Sequence, residues 1–296
     1  MKILCTTSSF NAPIPPEHDV IKNPYGRRLT EEEVAQLLKE HQPQGLIAGV
    51  EPLTRKALAS ARELKVISRC GVGMDNVDLE AAEAFGITVR NTPEAPVTSV
   101  AELTLGLMLC LLRKITAADS AVRQGGWTRL KGNLLRGKRV GIIGCGRIGS
   151  AVAGLTAAFG CINTGYDPFI RNPGKIPLTT FEDLISTSDI ISLHAPLSPQ
   201  NRNIIDSKAL RRMKDSAVLI NTARGALIDE AALVKALKED RIAGAALDVY
   251  AEEPYSGPLA DMPEKTVLTC HIASSAVESR AVMEKEAVSN LLEEQF

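Results

Sequence analysis

The chain has 296 residues, of which 45% are hydrophobic and 23% charged, and this is enough for two domains with separate apolar cores. Its formal net charge of -1 at pH 7 excludes the broad positive field with which proteins attract nucleic acids or acidic membranes. The longest apolar run, 103–112, has about half the length of a membrane helix, and the first residues show no signal-peptide pattern.

The first part of the chain alternates short apolar runs with amphipathic segments. Buried strands are predicted at 3–6, 45–48, 66–68 and 88–90. The spacing of apolar residues predicts helices at 30–41, 54–63 and 79–85, the last of them ended by Gly86. Alternating strands and helices favour a parallel sheet with helices on both faces.

A proline-containing stretch, 91–96, interrupts this alternation. Ser99 and Glu102 have the spacing of a capping box, which predicts the start of a long helix that runs to about residue 122. Leu103, Leu107 and Leu111 form an apolar stripe on that helix. The stripe is consistent with a core helix and equally with a helix at a subunit contact.

A second series of strands and helices follows. Strands are predicted at 139–143, 162–166, 189–193, 217–221, 244–248 and 267–270, and helices at 148–159 and 180–186. Asp229 is expected to cap a helix to about residue 240, and a last helix at 278–296 is expected to pack on the first domain. The predicted fold class is α/β, with two doubly wound parallel-sheet domains: 1–98 with 275–296, and 99–274.

A glycine turn follows the first strand of the second series. Gly144, Gly146 and Gly149 form the GxGxxG pattern between that strand and a helix, as in a Rossmann-type domain that binds the pyrophosphate of a dinucleotide. Asp167 ends the next strand, where a carboxylate accepts hydrogen bonds from the ribose and repels a 2′-phosphate. The pattern therefore favours NAD over NADP. Arg171 and Lys175, just beyond Asp167, are expected to belong to a solvated basic loop, although they could weaken this preference.

The six cysteines are scattered, without a CxxC pair or the spacing of metal ligands. They are Cys5, Cys70, Cys110, Cys145, Cys161 and Cys270. This usage indicates reduced thiols, and we expect a cytoplasmic protein with no metal site and no nucleic-acid or membrane partner.

Polar residues stand just past the predicted ends of several strands in the second series. They include His194, Arg224 and His271, with Glu253 after the strand at 244–248. The carboxyl ends of parallel strands line the ligand crevice of such sheets, so these side chains are candidates for the chemistry. His18 and His41 are expected at the surface. Position along the chain does not separate His194 from His271 as the proton shuttle.

Four segments resemble the D-isomer-specific 2-hydroxyacid dehydrogenases, and the branch of phosphoglycerate dehydrogenase and hydroxypyruvate reductase in particular. These segments are 144–149, 221–230, 247–254 and 69–78, and the resemblance extends over nearly the whole chain. It implies a Rossmann-type NAD domain, a flavodoxin-like substrate domain and a homodimer, a contact for which the apolar helix after residue 99 is also suited. The implied reaction is hydride transfer between NAD(H) and a 2-oxo acid or D-2-hydroxy acid.

The resemblance also implies roles for individual residues. Arg224 would bind the substrate, His271 would be the general acid and base, and Glu253 would stabilise its protonated imidazole. Val72 and Gly73 would hold the substrate carboxylate from the other domain. The residues that it places at the cofactor are Gly144, Gly146, Arg147, Ile148, Gly149, Asp167, Ala195, Thr222, Ala223, Arg224, Asp248 and His271.

The chain departs from the family pattern at the substrate loop. The phosphoglycerate enzymes often carry an arginine near the position of Gly49, whereas this chain has none there and has Glu51 close by. Glu51 would repel a phosphate, although Arg55 or an arginine from another loop could replace the missing cation. Cys270 stands where many members have proline. The alternatives are D-3-phosphoglycerate dehydrogenase proper and, in a different class, an NAD-sensing corepressor-like protein.

Overall fold

The computed structural model describes residues 1–293. In chain order, the strands and helices of these residues are β1 (Lys2–Cys5), β2 (Asp19–Lys22), α1 (Glu31–His41), β3 (Gly45–Ala48), α2 (Arg55–Leu58), β4 (Val66–Arg69), α3 (Leu79–Ala84), β5 (Thr88–Asn91), α4 (Val97–Arg113), α5 (Ile115–Arg123), β6 (Arg139–Ile143), α6 (Arg147–Ala158), β7 (Ile162–Tyr166), α7 (Phe181–Thr187), β8 (Ile190–Leu193), α8 (Ser207–Arg212), β9 (Val218–Asn221), α9 (Glu230–Lys238), β10 (Gly244–Leu247), β11 (Thr266–Leu268) and α10 (Val277–Leu292). The chain forms two compact units, one of Met1–Pro96 with the chain from Ser274 onward, and one of Val97–Ala273.

The first unit contains a parallel sheet in the order β2-β1-β3-β4-β5. Successive residues of a strand point to opposite faces, and the core follows this alternation. On one face, Ile3 and Ile47 pack with Met283 and Leu291 of α10. On the other face, Leu46 and its neighbours pack against α1, α2 and α3. The C-terminal helix therefore covers one side of the sheet that the N-terminal segment forms.

The second unit contains a parallel sheet in the order β11-β10-β9-β8-β6-β7. Its central strands are buried on both faces, which explains their continuous apolar sequences. The apolar residues of α4 and α6 belong to one core, and those of α7, α8 and α9 belong to the other. The prediction of two α/β domains with parallel sheets is confirmed.

Three details of the predicted elements are wrong. Helix α4 begins at Val97, directly after Pro96, so Ser99 and Glu102 lie inside its first turns and do not form a capping box at its start. Lys114 has a left-handed backbone with φ 54°, which separates α4 from α5. The helix that begins at Arg55 ends at Leu58, so residues 59–63 are not helical as predicted. The side chain of Gln42 forms hydrogen bonds with backbone groups in this segment. Strand β2 was not predicted.

The last predicted helix, 278–296, corresponds to α10, which spans Val277–Leu292. Asn290 of this helix donates from Nδ2 to the carbonyl oxygen of Asn91 at 3.0 Å, which links it to the end of β5. Residues 294–296 lie outside the described residues. None of the helices in the described part of the chain is long and apolar enough to cross a lipid bilayer.

Candidate active site

The glycine turn joins β6 to α6, and each of its glycines meets a different requirement. Gly144 has a left-handed φ of 92°, and a Cβ there would lie 2.4 Å from the backbone nitrogen of Ala195. A Cβ on Gly149 would lie 2.1 Å from the carbonyl oxygen of Gly144, so the helix approaches the turn only with glycine there. A Cβ on Gly146 would meet no described atom within 4 Å. The turn therefore has room for a pyrophosphate at the positive end of α6.

Asp167 follows β7, and its carboxylate is bound to the glycine turn. Its Oδ2 accepts a hydrogen bond from the N–H of Cys145 at 2.9 Å. Its Oδ1 accepts hydrogen bonds from the N–H groups of Phe169 and Ile170 at 2.9 and 3.0 Å. These bonds hold a half-buried negative charge beside the turn, a charge that favours a ribose hydroxyl over a 2′-phosphate.

Arg224 lies in a tight turn that follows β9. Asn221 is buried and closes this turn, because its Nδ2 donates to the carbonyl oxygen of Arg224 at 2.9 Å and its Oδ1 accepts from the N–H of Ala223 at 3.0 Å. The Nη1 of Arg224 donates to the carbonyl oxygen of Ala223 at 2.7 Å. A Cβ on Gly225 would lie 1.8 Å from the carbonyl carbon of Tyr250. The arginine turn is therefore in direct backbone contact with the segment that follows β10.

Glu253 and His271 form a hydrogen-bonded pair. The Nδ1 of His271 lies 2.8 Å from Oε2 of Glu253, and the two side chains are 37% and 26% exposed. The other carboxylate oxygen, Oε1, accepts a hydrogen bond from the N–H of Tyr250 at 3.1 Å. The contact with Glu253 holds the imidazole in one orientation. Because Nδ1 is engaged by Glu253, a proton would be exchanged with a substrate at Nε2.

The loop that carries His271 is held by a buried carboxylate. Asp248 accepts hydrogen bonds from the N–H groups of Ile272 and Ala273 at 2.9 Å each, and from the hydroxyl of Thr269 at 2.6 Å. The N–H of His271 donates to the carbonyl oxygen of Asp248 at 2.8 Å. His271 has a left-handed φ of 57°, which is unfavourable for a residue with a side chain. The bonds to Asp248 therefore maintain a strained backbone at the imidazole.

His194 has a different environment. Its Nε2 lies 2.8 Å from Oγ of Ser192, and its buried Nδ1 has no hydrogen-bond partner among the described residues. Burial lowers the pKa of the His194 imidazole to about 3, so this side chain stays neutral at ordinary pH. Of the two histidines that the sequence left open, His271 is the one paired with a carboxylate.

The prediction of a surface position is wrong for His18, whose side chain is 14% exposed and which lies against the N-terminal amine.

The structure brings most of the predicted site residues together in the second unit. Ala195 contacts the glycine turn, and the hydroxyl of Thr222 lies 2.9 Å from that of Thr104. Arg147 is exposed at the start of α6, whereas Ile148 packs against the apolar core. The predicted residues of the first unit lie after β4: these are Val72, whose carbonyl oxygen accepts from Nδ2 of Asn91 at 2.7 Å, and Gly73.

Three residues that support this site were not given a role in the sequence analysis. Asn221 closes the arginine turn, Thr269 binds Asp248, and Tyr250 donates its N–H to Glu253. Asn221 carried a recognisable signal, because an asparagine that ends a buried strand can close a turn with its own side chain. The contacts of Thr269 and Tyr250 depend on the neighbouring strands and had no local signal.

Comparisons with known proteins relate this chain to one family of enzymes. Residues 105–273 match the family model for the NAD-binding domain of D-isomer-specific 2-hydroxyacid dehydrogenases. Over 260 residues, or 85% of this chain and 49% of the relative, the sequence is 42% identical to a D-3-phosphoglycerate dehydrogenase of Methanocaldococcus jannaschii. Over 255 residues, or 82% of this chain and 75% of the relative, it is 41% identical to a glyoxylate reductase of Thermofilum pendens.

A solved structure shows the same fold along the chain. The crystal structure of a glyoxylate reductase from Paecilomyes thermophila matches with a TM-score of 0.86 and 30% identity, over 98% of this chain and 94% of that one. The chain spans about half of the length of the curated phosphoglycerate dehydrogenases that it matches.

Proposed function

Because this chain belongs to the D-isomer-specific 2-hydroxyacid dehydrogenase family, we propose that it interconverts a 2-oxo acid and a D-2-hydroxy acid with NAD as the cofactor. The observation that carries this proposal is the 2.8 Å hydrogen bond between His271 and Glu253. The pair lies in the unit that contains the glycine turn and Arg224. Such a unit combines a dinucleotide turn, a cation for the substrate and a group that transfers a proton.

The residues of this chain divide the chemistry among them. When bound, NADH supplies the hydride that reduces the carbonyl carbon. Arg224 binds the carboxylate and the carbonyl oxygen through its planar, permanently charged guanidinium. Protonated His271 donates a proton from Nε2 to the carbonyl oxygen as it becomes a hydroxyl, and Glu253 stabilises the protonated form beforehand. In the reverse direction, neutral His271 accepts that proton from the hydroxyl group.

We assign the first unit to the substrate and the second unit to the cofactor, and we expect the cofactor to be NAD and not NADP. The open space at Gly146 and the carboxylate of Asp167 beside the turn support this choice. Michaelis constants for NADH and NADPH, measured with the same 2-oxo acid, test it. A lower constant for NADPH would contradict the role assigned to Asp167.

The decisive experiment follows NADH oxidation with glyoxylate, hydroxypyruvate and other 2-oxo acids. His271→Ala should abolish turnover and leave NADH binding intact, because the imidazole transfers a proton while the glycine turn binds the dinucleotide. His41→Ala, at the end of α1, is the matched control and should keep full activity. Retained activity in His271→Ala would refute the assignment, and so would the absence of turnover with every acid in the wild-type protein.

We further propose a homodimer in the cytoplasm. Helix α5 has no buried residue, and Trp127 and Leu134 in the following segment are 82% and 70% exposed. A second copy of the chain would cover these apolar side chains. Trp127 is the single tryptophan, so its fluorescence should shift to longer wavelength when the protein is diluted below the dissociation constant. A monomer at micromolar concentration in sedimentation would contradict the dimer.

A further inference from the structure

The hydroxyl group of Tyr250 joins the ends of two neighbouring strands. It lies 2.8 Å from the carbonyl oxygen of Thr269, after β11, and 3.1 Å from that of Leu247, the last residue of β10. A phenol has one proton to donate, so the two carbonyl oxygens share it in a three-centre hydrogen bond whose shorter arm is at Thr269. The hydroxyl thereby limits how far the chain after β11 can move away from β10.

The backbone of the same residue binds the other half of the site. The N–H of Tyr250 donates to Oε1 of Glu253 at 3.1 Å, while Oε2 of that carboxylate lies 2.8 Å from Nδ1 of His271. Thr269, whose carbonyl oxygen accepts from the Tyr250 hydroxyl, precedes His271 by two residues. Tyr250 is therefore hydrogen-bonded both to the carboxylate and to the chain that carries the imidazole.

The ring of Tyr250 has little freedom to move. The residue is 8% exposed, and its ring stacks on that of Tyr255 with the centroids 4.3 Å apart and an angle of 21° between the planes. Burial, with the carboxylate of Asp248 nearby, raises the pKa of the Tyr250 hydroxyl, so the phenol keeps its proton at ordinary pH. The donor therefore has a fixed place in the folded protein.

The chain after β11 needs support because its backbone is strained. His271 has the left-handed φ of 57°, which is unfavourable for a residue with a side chain. On one side of His271, Asp248 accepts hydrogen bonds from the N–H groups of the two residues that follow it. On the other side, the carbonyl oxygen of Thr269 accepts from Tyr250. The side chains of Asp248 and Tyr250 thus hold the chain on both sides of the imidazole.

We propose that Tyr250 is a positioning residue for proton transfer: its hydroxyl holds the chain before His271 so that Nδ1 meets Glu253 and Nε2 is left to exchange the proton. The inference rests on the proposed function and adds to it a residue that acts through the imidazole. All of these residues belong to the second unit. A phenylalanine in place of Tyr250 would keep the stacked ring and the backbone N–H, so its effect would report the hydroxyl.

The first test measures NADH oxidation with glyoxylate or hydroxypyruvate in Tyr250→Phe. The value of kcat for reduction should fall about 3- to 10-fold, the effect expected of one buried neutral hydrogen bond, while KM and the dissociation constant of NADH should change less than about twofold. Tyr255→Phe is the matched control: it removes a hydroxyl from the same stacked pair, but that hydroxyl binds the N–H of Leu259, so kcat should stay near the wild-type value. An unchanged kcat in Tyr250→Phe, or an equal loss in both variants, would overturn the proposal.

A double-mutant comparison separates an effect on the pair from a general loss of stability. If the hydroxyl aligns His271 with Glu253, Tyr250→Phe should lower kcat less in the Glu253→Gln protein than in the wild type, because the contact with the carboxylate is already lost. Losses that simply multiply would show that Tyr250 acts independently of the pair and would overturn the proposal. Thermal unfolding of each variant establishes that it is folded at the assay temperature.

The orientation of the imidazole can also be measured without substrate. The chain has four histidines, so NMR of a protein labelled at its histidine nitrogens, compared with His271→Ala, identifies the signals of His271. In the neutral wild-type imidazole the proton should reside on Nδ1, next to Glu253, and Tyr250→Phe should move part of this population to Nε2. Turnover in the wild type with unchanged nitrogen shifts in Tyr250→Phe would overturn this inference alone. The absence of turnover with every 2-oxo acid in the wild type would overturn the proposed function and this inference with it.

Discussion

Replacement of Glu253 by glutamine removes the charge beside His271 and keeps a side chain of the same size. The two side chains are 37% and 26% exposed, so solvent screens their attraction strongly. Charges about 4 Å apart attract each other by about 1–2 kcal/mol if the effective dielectric constant is about 40–80. Loss of this stabilisation of the protonated imidazole should lower kcat/KM for carbonyl reduction by about 5- to 30-fold at pH 7.

The assay is NADH oxidation with a saturating cofactor, and NADH binding is measured separately. Glu252→Gln is the matched control, because Glu252 is the exposed neighbour of Glu253 and forms no hydrogen bond in the described structure. It should retain wild-type activity. Equal losses in the two glutamine variants, or a loss below about twofold in Glu253→Gln, would refute this reasoning.

Three other predictions concern the surroundings of the site. The pKa of His194 is about 3 in the folded protein and about 6.5 in the unfolded protein. Between these pH values the unfolded state binds one proton more than the folded state, so the stability of the protein decreases as the pH falls through this range. The free energy of unfolding, measured with urea, should decrease between pH 7 and pH 4.5 by about 2–3 kcal/mol less in His194→Gln than in the wild-type protein. An equal decrease in both proteins would contradict this prediction. Gly225→Ala should destabilise the protein by about 1–3 kcal/mol or more and reduce its activity, because the new Cβ would overlap Tyr250. The control is Gly154→Ala, where a Cβ has open space, and thermal unfolding should show this variant to be as stable as the wild type or more stable. Iodoacetamide should modify exposed Cys270 before the buried cysteines and slow turnover, and modification of another cysteine first, by mass spectrometry, would contradict this.

Much of the fold could be predicted because the buried strands carry their signal locally. The strands Gly45–Ala48 and Ile162–Tyr166 have the predicted bounds, and the glycine turn lies between a strand and a helix as expected. β2 lies at the edge of its sheet and its residues are at most half-buried, so it lacked the apolar run by which the other strands were recognised. The break at Lys114 depends on a left-handed lysine, a residue type that gives no local warning of that conformation.

The residues of the candidate site could be predicted from the sequence, but the contacts between them could not. The strand ends identified Arg224, Glu253 and two histidines, yet the choice between His194 and His271 required their environments. One imidazole is buried beside a serine hydroxyl, and the other is hydrogen-bonded to a carboxylate. Such differences arise from neighbouring strands that are far apart in sequence, so a pattern along the chain does not contain them.

The contacts within the second unit make the arginine and the histidine parts of one assembly. Asn221 closes the turn of Arg224, and Gly225 brings that turn against the backbone of Tyr250, whose N–H binds Glu253. Each link is a buried or backbone contact with little room for adjustment, so the cation and the proton-transferring pair keep a fixed spacing.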